Sequence, residues 1–184
     1  MKALAKYLSQ AFFLLVGFLG CTAAAQNWVG SSGTPDPTSL AITKFVNGAA
    51  YIRSDVSTGT VTLRYNVLPV GDLGKTEQTD GGECTQFSIR YVDNGSAAQV
   101  IAKIKIYDTV NGTIKTLLNF DSNSRPQQSG FQLATLCDEF LPLWEQCVNG
   151  ECRPQAPFIE VQLIRSGPGG NPAVGVIALR DNTH

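Results

Sequence analysis

The residues that could act as nucleophile, general base or metal ligand are few in this chain. The only histidine, His184, is the last residue, so a Ser-His-Asp or Cys-His centre would lack an imidazole inside the fold. The same shortage argues against histidine-based zinc, copper and iron sites. No G-x-x-x-x-G-K-[ST] phosphate loop occurs, and no helix is predicted after Gly167-Pro168-Gly169-Gly170. We therefore predict no cofactor, no metal and no catalytic residue.

Carboxylates are the remaining catalytic candidates. A glycosidase needs two acids that face each other across a cleft, roughly 5 to 9 Å apart. The acids that cluster in sequence are Asp80 with Glu83 and Asp138 with Glu139. Because clustered acids are mostly solvated surface charge, we predict that the protein is not an enzyme. A carboxylate-dependent enzyme, such as a glycoside hydrolase or lyase, is the alternative.

A calcium site is a second alternative for the oxygen-bearing side chains. The segment Asp121-Ser122-Asn123-Ser124 offers hard oxygen ligands. It lacks the regular Asp/Asn ladder and the terminal Glu of an EF-hand.

Three aromatic residues are candidates for stacking on the apolar side of a sugar ring. They are Trp144, Tyr107 and Trp28. Tyr107 falls at an outward position of its predicted strand, with Ile101, Lys103 and Lys105. Burial against a core edge is the commoner environment for a tryptophan, so each ring has a purely structural alternative.

The amino terminus has the three parts of a secretory signal. Lys2 and Lys6 form a positive region, residues 11–20 form a short apolar run, and Ala23-Ala24-Ala25 supplies small residues for cleavage. We predict a signal peptide over residues 1–25, and a secreted, periplasmic or cell-surface location. The run is too short for a membrane span. Alternatively, Cys21 after Gly20 is lipidated and anchors the chain.

The four other cysteines fit an exported protein with two disulfides. Cys147 and Cys152 bracket Asn149-Gly150, a tight-turn signal that brings two sulfurs together. We therefore pair Cys147 with Cys152 and, by elimination, Cys84 with Cys137. Structural zinc is the weaker alternative, because the cysteines are unevenly spaced and no histidine lies near them.

The elements that must position these residues are strands, because the dominant hydrophobic period is two. In residues 60–67, Val61, Leu63 and Tyr65 alternate with polar side chains. On residues 114–120 the predicted inward set is Ile114, Thr116, Leu118 and Phe120. Asn47-Gly48 and Asn111-Gly112 predict hairpins, the second through a type I′ turn. The remaining candidate strands cover residues 87–91, 100–107, 131–137, 158–164 and 174–179.

About eight short strands predict an all-β fold, an antiparallel two-sheet β-sandwich of jelly-roll or immunoglobulin-like type. We expect an extended N-terminal segment at residues 26–39 and a single sandwich domain at residues 40–184. Without the signal, 159 residues carry 12 basic and 15 acidic side chains, and no dense basic block suggests a nucleic-acid partner.

The composition, the export signal and the missing catalytic groups together predict a non-catalytic protein. We expect it to bind a protein or a glycan through its loops, with no nucleic-acid partner and no membrane span. A structural component of the cell envelope is the other non-catalytic alternative; an exposed strand edge able to accept a donor strand would indicate it.

Overall fold

The computed structural model describes residues 25–69, 84–138, 143, 145–148 and 151–182. It contains twelve strands, more than the eight or so that alternation predicts. Their bounds are β1 Ala25–Val29, β2 Thr34–Pro35, β3 Thr43–Val46, β4 Ala49–Ile52, β5 Gly59–Asn66, β6 Cys84–Asn94, β7 Ala98–Asp108, β8 Ile114–Asp121, β9 Gln128–Asp138, β10 Glu145–Val148, β11 Glu151–Arg165 and β12 Asn171–Asn182. Three single-turn 3₁₀ helices lie at Gly30–Ser32, Leu40–Ile42 and Ser122–Ser124.

The strands form two antiparallel sheets. The front sheet has the order β3-β4-β12-β6-β9, and the back sheet has the order β2-β5-β11-β7-β8. Within these sheets, the strands β4-β12-β6-β9 and β5-β11-β7-β8 follow the order of a jelly roll. The predicted all-β sandwich is confirmed, with jelly-roll rather than immunoglobulin connectivity.

The segment expected to lead into the domain contributes a strand to each sheet. β1 pairs with residues 176–180 of β12, and β4 pairs with Ala173 and Val174 of the same strand. β1 and β4 therefore lie end to end beside β12. β2 pairs with β5. β10 likewise pairs with the start of β11. These short strands escape prediction because β2 and β10 hold too few residues for alternation to be counted.

The core lies between the two sheets and follows the predicted alternation. Val61, Leu63 and Tyr65 of β5 are buried, as the period of two predicts. The sheets meet through an edge-on aromatic contact between Tyr91 of β6 and Phe120 of β8, whose ring centroids are 5.0 Å apart. Such contacts join the inward faces into one hydrophobic cluster.

Of the two predicted hairpins, the first has the expected turn and the second does not. At the β3–β4 turn, Asn47 and Gly48 both have positive φ angles, 49° and 81°, as a type I′ turn requires. At the β7–β8 hairpin only Gly112 has a positive φ. The carboxylate of Asp108 accepts the backbone N–H groups of Val110 and Asn111, so a longer loop capped by Asp108 replaces the predicted type I′ turn.

The predicted inward face of β8 is wrong in its first half. Leu118 and Phe120 are buried, but Ile114 and Thr116 are exposed. The register of β7 against β8 shifts between Ile104 and Lys105, so one extra residue of β8, Leu117, is inserted. This bulge moves every side chain before it to the other face.

One of the two predicted disulfides lies within the described side chains. Cys84 of β6 and Cys137 of β9 are bonded, with Cα atoms 5.6 Å apart and a separation of 53 positions in sequence. Cys147 and Cys152 are direct cross-strand partners in the β10–β11 hairpin, and their bridge stays a prediction. Among the described residues no helix is long and apolar enough to cross a membrane.

Candidate ligand-binding surface

The three aromatic residues predicted to bind a ligand do not share a surface. Tyr107 is 41% exposed on the outer face of the back sheet, beside Ile114 and Ala156. Trp28 is half-buried on β1 and packs against the core. Trp144 lies outside the described residues. The structure therefore does not bring these three rings together.

The acidic candidates are likewise dispersed. Asp80, Glu83 and Glu139 lie outside the described residues, and Asp138 is half-buried on β9. In the loop considered as an alternative calcium site, the carboxylate of Asp121 accepts a hydrogen bond from the Gln99 side-chain amide at 2.9 Å. Within the described part of the chain, no three His, Cys, Asp or Glu side chains are close enough to hold a metal ion.

The outer face of the back sheet is a ladder of paired charges. Arg64 of β5 contacts Asp36, and its second nitrogen lies 3.5 Å from Glu160 of β11. Glu160 also accepts the ammonium of Lys105 at 2.6 Å. Asp36 and Glu160 therefore compensate the charges of Arg64 and Lys105 within the sheet, whereas Lys103 on the same face makes no ion pair with a described residue.

The outer face of the front sheet has a different character, because several of its floor positions have small side chains. Ala49 of β4 and Ala173, Gly175 and Ala178 of β12 lie at these positions. We call this row of small side chains along β12 the trough.

Two aromatic side chains flank the trough. Tyr51 of β4 is half-buried and is the cross-strand partner of Ala173. From β9, the ring of Phe131 reaches across β6 and lies over Gly175; a Cβ atom added to that glycine would be 2.9 Å from the ring. Tyr51 therefore stands on one side of the trough, and the ring of Phe131 covers its floor at Gly175.

One end of the trough opens into a groove with a volume of about 290 Å³. The residues that line it are Lys44, Val46, Tyr51, Ile52, Ser54 and Asn171. The lining residues thus include an aromatic side chain, an amine, a hydroxyl and an amide. This combination supplies an apolar contact and both donors and acceptors of hydrogen bonds.

The walls of the groove are held from beneath by a buried arginine. Arg165 donates from Nη1 to the carbonyls of Arg53 and Val56, at 2.9 and 2.6 Å, and from Nη2 to Asn171 at 3.2 Å. Ser54 and Asn171 line the groove, so these bonds fix the backbone on either side of it. At the rim, the guanidinium of Arg53 donates to both oxygens of Asp55 and lowers the pKa of that carboxyl.

Sequence reasoning missed Tyr51 and Phe131. Alternation in β4 does place Tyr51 outward between the buried Ala50 and Ile52, which is the local signal that would have found it. No local signal indicates that Phe131 would lie over Gly175, because the two residues belong to strands separated by β6.

No protein-family model and no curated protein matches this chain. Among solved structures, it is similar to TmCBM61 in complex with beta-1,4-galactotriose, at 10% identity, a TM-score of 0.39 and coverage of 85% of this chain and 88% of that one. A structure described as "CBM4 structure and function" matches at 9% identity and a TM-score of 0.33, over 84% and 81% of the two chains. At these TM-scores neither likeness establishes a shared function, which must be argued from the residues of this chain.

Proposed function

We propose that this protein is a non-catalytic, exported glycan-binding protein, and that the sugar binds in the trough and groove of the front sheet. The observation that carries the proposal is the placement of Tyr51. Tyr51 stands beside the trough as the cross-strand partner of Ala173 and also lines the groove, together with the polar residues Lys44, Ser54 and Asn171.

This arrangement matches the two sides of a sugar. A pyranose ring has an apolar side that packs on an aromatic ring, and hydroxyl groups that need hydrogen-bond partners in place of water. The Tyr51 side chain is already half-buried, so it loses little conformational entropy when a ligand binds. The groove is near the lower limit of usual ligand pockets, about 300 to 1,000 Å³, so it holds the end of a glycan whose remainder lies along the trough.

The non-catalytic assignment is supported by the groove lining, because no described carboxylate is among the lining residues. Export is supported by the Cys84–Cys137 disulfide and by the signal-like residues 1–25. Mass spectrometry of the mature amino terminus tests this part. Cleavage after Ala25 leaves Gln26 first, whereas a diacylglycerol adduct on Cys21 indicates the lipid-anchored form.

A glycan array with the processed protein, secreted into an oxidising compartment, tests the proposal. We expect at least one bound glycan, and a loss of about tenfold or more in affinity for Tyr51→Ala. Tyr107→Ala is the matched control, because Tyr107 is the exposed tyrosine of the opposite sheet. Loss of binding in Tyr107→Ala but not in Tyr51→Ala would place the site on the back sheet and overturn our assignment.

A protein partner is the second candidate, and the edge strand β9 favours it. Among the described strands, β9 pairs only with β6, and it exposes Leu133 by 69%. An unprotected edge of eleven residues accepts an added strand from a partner. Pull-down with wild type and with Thr135→Pro, which removes a backbone donor on this strand, tests this candidate; equal capture would exclude strand addition.

A further inference from the structure

The outer face of the front sheet holds basic side chains without acidic partners. Lys44 of β3, Arg90 of β6 and Arg180 of β12 are exposed at outward positions. None of them makes an ion pair with a described residue. The described outward positions of this sheet contain no Asp or Glu.

A general excess of basic residues does not explain this face. The whole chain has 14 basic and 15 acidic side chains and a net charge of −1. The back sheet pairs Arg64 and Lys105 with Asp36 and Glu160 across its strands. The outer face of the back sheet therefore carries acids among its bases, although Lys103 makes no ion pair with a described residue, whereas the described outward positions of the front sheet carry bases alone.

The acid nearest to the groove in sequence does not neutralise it either. Asp55 follows the lining residue Ser54, but both of its oxygens accept hydrogen bonds from Arg53, at 3.0 and 2.6 Å. That pairing lowers the pKa of Asp55 and leaves its charge compensated by Arg53. Lys44 is thus the uncompensated charge in the groove lining.

The basic groups stand beside the surfaces on which a sugar would stack. Lys44 is the cross-strand partner of Tyr51. Arg90 lies in one cross-strand row with Val176 and Leu133, next to the ring of Phe131. An ammonium or guanidinium at such a position forms charge-assisted hydrogen bonds with a carboxylate or sulfate, and the guanidinium can do so with two nitrogens at once.

We infer that the ligand of the trough is an anionic saccharide, a sugar chain carrying carboxylate or sulfate groups. This inference rests on the proposed glycan-binding function and deepens it. Lys44 and Arg90 lie three strands apart, about 15 Å at the usual strand spacing. A single acidic group cannot contact both, so the ligand carries at least two acidic groups along its length.

Matched pairs of ligands test this inference. Calorimetry with oligogalacturonate and with its methyl ester compares a carboxylated sugar with its neutral form, and dextran sulfate against dextran does the same for sulfate. We expect one acidic form to bind about tenfold or more tightly than its neutral counterpart, as one charge-assisted contact provides. The pair that shows the difference identifies carboxylate or sulfate as the recognised group.

Substitutions separate specific recognition from general attraction. Lys44→Met and Arg90→Met keep the side-chain stems and remove the charges. Each should lower the affinity for the acidic ligand about tenfold and leave the affinity for the neutral ligand unchanged. Lys103→Met on the back sheet should change neither. Equal binding of acidic and neutral forms, or an equal loss in Lys103→Met, overturns the inference. Absence of binding to every saccharide instead overturns the glycan-binding function itself.

Discussion

The ring of Phe131 lies on the backbone of Gly175, although strand β6 separates their two strands in the front sheet. A Cβ atom at position 175 would lie 2.9 Å from Cε1 of the ring. The absence of a side chain at Gly175 therefore allows the ring to lie against the sheet and add an aromatic surface to the floor of the trough.

Gly175→Ala should displace the ring without unfolding the protein. Phe131 is 36% exposed, so its ring can swing outward, and we expect only a small change in melting temperature. Affinity for the glycan should fall about threefold to tenfold, which corresponds to the loss of one aromatic contact. Gly130→Ala is the control, because nothing lies within 4 Å of a Cβ atom there. Equal affinities of the two variants would contradict the role of Phe131.

Asp93 predicts an unusual dependence of stability on pH. Its side chain is fully buried on β6, and neither carboxylate oxygen accepts a hydrogen bond of normal geometry in the described part of the chain, although the nearby Ser122 hydroxyl opposes part of the effect of burial. Burial raises the pKa of this carboxyl above its ordinary 3.8. Folding therefore favours the neutral acid. The protonated carboxyl makes its full contribution to stability at pH values below the pKa that Asp93 has in the unfolded chain. This contribution is lost as the pH rises through the pKa that Asp93 has in the folded protein.

We expect Asp93→Asn to unfold at higher temperature than wild type near neutral pH, because on folding the wild-type carboxylate must either bury its charge or take up a proton, and the amide need do neither. The difference in melting temperature between the variant and wild type should shrink as the pH is lowered to about 4, where Asp93 is half protonated in the unfolded wild-type chain. Thermal unfolding across pH measures it. Asp55→Asn is the control with the opposite sign, since Arg53 lowers the pKa of Asp55. A gap that does not vary with pH would contradict the prediction.

Arg165 should be essential for both stability and the shape of the groove. It is only 7% exposed, and its guanidinium donates to the carbonyls of Arg53 and Val56. Arg165→Met removes these donors and leaves buried acceptors unpaired, which costs roughly 2 to 4 kcal/mol in free energy of unfolding. Chemical denaturation measures this cost, with the exposed Arg180→Met as control. A loss below about 1 kcal/mol would show that water replaces the arginine.

The cysteines predict a defined thiol count. Denatured, unreduced mature protein should show no free thiol if Cys147 and Cys152 are bridged as we propose, and two if only Cys84 and Cys137 are. Because Cys84 and Cys137 are 53 residues apart, losing their bridge should cost roughly 4 kcal/mol by the chain-entropy model. Thermal unfolding of a Cys84→Ala, Cys137→Ala double variant checks this, and an unchanged melting temperature would contradict it.

Local pattern alone determined the fold class and most of the strands. Val61, Leu63 and Tyr65 alternate with polar residues, and alternate side chains of an extended chain must face opposite sides. Asn47-Gly48 likewise specified its turn, because those two residues accept positive φ angles at little cost. Such features depend on neighbours in sequence, so they can be read without knowing which strands pair.

Pairing between distant strands decided the rest. The bulge at Leu117 is a mismatch between β8 and β7, so no property of β8 alone predicts that Ile114 points outward. Tyr51 and Phe131 flank one trough only because β12, from the end of the chain, lies between β4 and β6. Alternation specifies which side chains share a face of a strand, whereas the order of strands in the sheet specifies which faces become neighbours. For this reason the candidate site emerged only from the tertiary structure.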